Sequence, residues 1–79
     1  MIKFTTSSGS TYEVDEANTR MRRVEASHAL RRDNDWQTYS VFMGARVDSR
    51  AFFILEPLGD GNMTTRMTTL ITSVENSLL

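Results

Sequence analysis

The chain reads as an all-β protein, a small antiparallel meander of about six strands forming a compact barrel or a two-layer sheet. Three stretches carry that expectation. The opening Lys3-Phe-Thr-Thr-Ser-Ser-Gly-Ser-Thr-Tyr-Glu-Val-Asp15 places β-forming residues on both sides of a Ser-Gly turn. Arg50-Ala-Phe-Phe-Ile-Leu-Glu56 is short, strongly apolar and halted by Pro57, as a central strand should be. Met63 to Val74 is long and rich in threonine, a residue that favours the pleated backbone.

The elements follow in order. Phe4 and Tyr12 flank Ser7-Ser-Gly-Ser10, where Gly9 supplies a positive φ and the serines bond nearby backbone, so residues 2 to 15 form a hairpin. In Asp15-Glu-Ala-Asn18 the aspartate suits the first turn position and Asn18 the left-handed conformation, and the chain returns as Thr19 to Glu25. A rival remains: Ala17, Met21, Val24 and His28 recur at helical spacing behind Asp15 as an N-cap, so residues 15–32 could instead be an amphipathic helix. The hairpin is preferred because that stripe is narrow and Thr19 and Ser27 interrupt it. Residues 26–35 are polar and aperiodic, which indicates a surface loop. Trp36 to Phe42 makes a fourth strand ended by Gly44, and Gly59-Asp-Gly-Asn62 makes the turn before the last strand. In that last strand Met67 and Ile71 fall on one side of the pleat and Leu70 and Val74 on the other, so a bend or bulge is expected, letting it serve both halves of a closed fold. The expected core is Phe4, Tyr12, Val14, Val41, Phe53, Leu55 and Ile71.

With 79 residues the chain is one small β domain, 1–79, and such a domain buries only about 60% of its unfolded surface. It has no cysteine, so no disulfide or thiolate zinc site reinforces the core, and a homo-oligomer, most simply a symmetric dimer, would help it. Absent cysteines suit a reducing cytoplasm. No stretch has the length of a signal peptide's apolar segment or of a membrane span, so a soluble protein is expected. Net charge is -1, which gives no overall field toward nucleic acid or an anionic membrane.

No arrangement of residues has the spacing that catalysis or cofactor binding needs. His28 is the only histidine and has no partner at a recognisable spacing. Asp33-Asn-Asp35 and Asp60-Gly-Asn62 lack the longer acidic loop that holds calcium, and Gly59-Asp-Gly61 precedes a strand rather than the helix N-terminus of a phosphate cradle. No enzyme activity, metal or cofactor is therefore expected. Charge does cluster in one place: five arginines, Arg20, Arg22, Arg23, Arg31 and Arg32, lie just ahead of Trp36. These six residues are the candidate interaction patch. On a strand Arg20 and Arg22 share a face and Arg23 takes the other; arginine beside an exposed tryptophan engages phosphates and bases or anchors a protein interface. The plainer reading pairs the arginines with Glu13, Glu25, Asp33 and Asp35 and puts Trp36 in the core.

Phe4 to Asp15, Arg20-Met-Arg-Arg-Val24, Asp35-Trp-Gln-Thr-Tyr39 and Thr68-Thr-Leu-Ile-Thr-Ser-Val74 together resemble a family of small accessory proteins encoded by bacteriophages of actinobacteria. The likeness spans most of the chain but omits 26–35, 44–50 and the last four residues, and it carries over no functional residue. It implies a non-enzymatic protein of the host cytoplasm that binds a host or phage protein through a sheet face or strand edge. Nucleic-acid binding by a small barrel through the arginine cluster is the alternative.

Overall fold

The computed structural model describes residues 1–25, 34–56 and 63–76, with only the backbone of Glu25 described. Six antiparallel strands follow one another around a closed barrel: β1 (Ile2–Thr6), β2 (Thr11–Asp15), β3 (Arg20–Glu25), β4 (Gln37–Met43), β5 (Arg50–Leu55) and β6 (Thr64–Asn76), the last closing onto β1. Expected and observed architecture agree. The helix alternative at the start of 15–32 gives way to strand β3, whose Met21 opposes Val14 of β2. Residues 26–33 of the expected 26–35 loop, with Arg31 and Arg32, and the Gly59 to Asn62 turn lie outside the described residues.

Turn chemistry explains the first two connections. Gly9 has φ 86°, and its N–H donates to the carbonyl of Thr6 at 3.0 Å while Thr6 N–H donates to Ser10 at 2.9 Å. Between β2 and β3 the chain makes one 3₁₀ turn, Glu16–Asn18. The left-handed position there is Thr19, at φ 47° and ψ 50°, rather than Asn18. Asn18 instead uses its side-chain amide to donate to Asp15 Oδ2 at 2.9 Å, and with Asp15 paired to Arg20 the loop has the expected four residues but is displaced by one, to 16–19.

The interior is filled by Phe4, Tyr12, Val14, Met21, Ala51, Phe53, Leu55 and Ile71. Six of these were expected from the sequence; Val41 was expected too, but it is only half-buried. The cause is a register shift. Tyr39 opposes Leu55 and Val41 opposes Ile54, so Ser40 is the extra residue of a bulge, and everything after it changes face. Phe42 consequently joins Tyr39 on the inner side, the two packing on Phe53 at ring-centroid distances of 4.8 and 6.1 Å.

β6 is re-phased twice. Arg50 opposes Leu70 while Phe52 opposes Met67, and Thr5 opposes Ser73 while Thr6 opposes Ile71. Ile71 is therefore buried and Val74 packs against the core, whereas Met67 and Leu70 face outward. The expected bend is real, but Met67 and Ile71 take opposite faces because the first bulge lies between them, and the second, between Ile71 and Ser73, brings Val74 to the same side as Ile71. The same strand pairs with β5 over its first half and β1 over its second, which is how a short chain turns a barrel corner.

Candidate interaction surfaces

Two outward faces of the barrel carry distinctive side chains. The first lies across β2, β3 and the entry to β4. Glu13 opposes Arg22 and Asp15 opposes Arg20 in the β2–β3 ladder. Pairing of Arg20 with Thr38 and of Met21 with Gln37 then brings Trp36 alongside. Arg22 donates to Glu13 Oε1 at 2.7 Å and Arg20 Nε donates to Asp15 Oδ2 at 2.9 Å. Both guanidinium groups lie over the Trp36 ring, 4.3 and 4.4 Å from its centroid. The Asn18 amide and then the Arg20 guanidinium hold the Asp15 carboxyl below the ordinary aspartate range.

The sequence-predicted patch therefore divides. Arg20, Arg22 and Trp36 are brought together; Arg23 points to the other face, where it is buried beside Met21 and Tyr12. Arg31 and Arg32 fall outside the described residues. Trp36 is neither core nor free surface but half-buried beneath two arginines. Each exposed cation contact of this kind is worth about 0.5–1 kcal/mol, and each surface ion pair about 0–1 kcal/mol. Their combined effect is to fasten β3 to β4.

The second face was not anticipated. Met43 opposes Phe52, and Phe52 opposes Met67, so these side chains form one row across the outside of β4, β5 and β6. Met43 is 57% exposed and Met67 60%. Beside the row the chain from Gly44 to Ser49 rises as a wall, enclosing an open groove of about 630 Å³. That wall is pinned from both sides: Asp48 N–H donates to the carbonyl of Ile71 at 2.9 Å, and Ile71 N–H donates to Ser49 at 2.8 Å. Gly44 sits at φ +86°, and any Cβ there would collide with the carbonyl oxygen of Arg50, so only glycine permits this close approach. Arg46 and Arg50 stand on the groove and are exposed.

One sequence signal pointed here. Ala51 to Leu55 is apolar on both phases of the pleat, and a strand of that kind is normally covered on both faces. The inward phase, Ala51, Phe53 and Leu55, fills the barrel; the outward phase, Phe52 and Ile54, is half-buried with no described element laid across it.

Comparison of the chain with protein-family models, with curated proteins and with solved structures finds no match. Among the described residues no group of three or more His, Asp or Glu side chains gathers to hold a metal ion, and no helix is long and apolar enough to cross a membrane.

Proposed function

We propose that the protein is a non-enzymatic interaction module that binds another protein through the outer face of β4, β5 and β6. Its setting is that of a bacteriophage accessory protein in the host cytoplasm. The setting rests on the sequence resemblance; the binding face rests on the exposed Met43–Phe52–Met67 row. Methionine is unbranched and polarizable, so it moulds to a partner's side chains and is favoured at adaptable binding surfaces. Barrel closure leaves a face rather than a free strand edge as the means of contact.

The arginine cluster supports the nucleic-acid alternative less well, because the guanidinium groups of Arg20 and Arg22 are already engaged by carboxylates and by Trp36. A photoactivatable side chain at Met67, and separately at Lys3 on a different face, tests the reading in lysate of an actinobacterial host. One discrete protein adduct from position 67 that is absent from position 3 is the expected result. Equal labelling from both positions, or tight salt-sensitive binding to DNA or RNA in a parallel titration, would replace this reading with the alternative.

A further inference from the structure

We propose that the groove beside Met43, Phe52 and Met67 receives an acidic peptide segment of the partner, one that inserts an apolar side chain onto the methionine floor and sets carboxylates against Arg46 and Arg50. This rests on the preceding reading and names the chemistry of the partner. The floor is apolar, and the wall is held in place by the Asp48 and Ser49 bonds to Ile71, so little ordering cost falls on the protein when a segment docks. The charge on the groove is of one sign. Arg46 and Arg50 line it and no acidic residue among the described ones does; Asp48, on the same wall segment, is exposed outside the lining, and neither guanidinium has a carboxylate partner among the described residues. Two unpaired guanidinium groups beside an apolar floor select a ligand that supplies carboxylates, since charge-assisted and bidentate arginine bonds are the strong ones.

Other occupants fit less well. A second copy meeting this face about a two-fold axis would bring the same arginines of both copies together with no carboxylate among the described lining residues to offset them. A nucleic acid strand would find two cations and one half-buried phenylalanine, too little charge and too little ring face for stacking.

The test selects the full-length protein against a displayed library of random short peptides. Enriched peptides should carry Asp or Glu within a few positions of Leu, Phe, Met or Trp. The acidic peptide should bind roughly tenfold or more tightly than its Asn/Gln counterpart, with the difference shrinking as salt rises. The double variant Arg46→Glu, Arg50→Glu should reverse the preference toward Lys-flanked peptides. Met67→Asp, at an exposed position, should keep the circular dichroism spectrum of the unaltered protein and abolish binding of both. Enrichment of neutral or basic peptides, no enrichment at all, displacement of the peptide by an oligonucleotide, or a dimer in sedimentation that Met67→Asp dissolves, each overturns the proposal. A crosslinked protein partner at Met67 combined with any of these outcomes leaves the interaction reading standing and removes only the acidic segment.

Discussion

Phe53 holds the centre of an aromatic cluster, with ring centroids of Phe4, Tyr12, Tyr39 and Phe42 at 6.5, 6.4, 6.1 and 4.8 Å. It is fully buried, and its neighbours come from β1, β2 and β4, so one side chain links both halves of the barrel. Truncation would remove these contacts at once and leave a cavity that four flat rings cannot easily close. Phe53→Ala should therefore cost about 3–5 kcal/mol, a large share of what a small domain has, and give an insoluble protein or a sharply lowered urea midpoint. A midpoint equal to that of the unaltered chain would show that β5 is not the central strand. Phe53 was legible as core because it sits in the most apolar stretch of the sequence. Phe42 was less so, because the bulge at Ser40 that turns it inward depends on pairing with a strand more than ten residues away, which no local alternation encodes.

Threonine and serine have a specific task in the strands. At the β5–β6 shift Thr68 and Thr69 face the single residue Ala51, which would leave a buried amide without its ladder acceptor. Thr68 Oγ1 accepts that Ala51 N–H at 3.0 Å and itself donates to the carbonyl of Thr69 at 2.8 Å. At the β1–β6 shift Thr72 donates its hydroxyl to the carbonyl of Thr5 at 3.2 Å. At the β4–β5 bulge Ser40 donates to Ile54 at 3.4 Å. The hydroxyl-rich composition of β6 thus satisfies backbone groups that the bulges would strand, and the bulges supply the extra twist that closes a barrel. Thr68→Val keeps shape and removes the acceptor, so it should cost about 1–3 kcal/mol. Thr68→Ser keeps the acceptor and loses a methyl, about 1 kcal/mol. Equal stabilities for the two variants in chemical denaturation would show that the hydroxyl contributes nothing. From the sequence the threonines indicated only strand; their placement at bulges follows from register. The methionine groove was hidden for a related reason, since Met43, Phe52 and Met67 are far apart in sequence and meet only once register places them in line.

Across the whole molecule the barrel is closed unevenly. Among the described residues the β3–β4 ladder has two residue pairs, Arg20 with Thr38 and Met21 with Gln37, while β1 and β2 share four pairs and β5 and β6 share five. The amide of Tyr39 adds a bond to the carbonyl of Thr19 at 3.0 Å and that of Asn34 a bond to Arg23 at 2.8 Å. The short seam is the natural place for the barrel to part, because local opening follows the fewest backbone bonds and apolar contacts. Arg20 and Arg22 reach across it to Trp36 from carboxylates on β2, so the cluster that sequence reasoning marked for binding acts on the outside as a clasp. In native-state hydrogen exchange the amides of Gln37 and Tyr39 should exchange sooner than those of Phe4 or Phe53. Trp36→Ala removes both ring contacts, worth about 0.5–1 kcal/mol each when exposed, and should speed exchange at Gln37 and Tyr39 by roughly five- to thirtyfold. Amides of β1 and the centre of β5 should follow only the change in global stability. Uniform acceleration at all sites would mean that Trp36 supports the whole core and that the seam does not open alone. Unchanged exchange everywhere would mean that the ring fastens nothing, returning the arginines to the role of a free binding face.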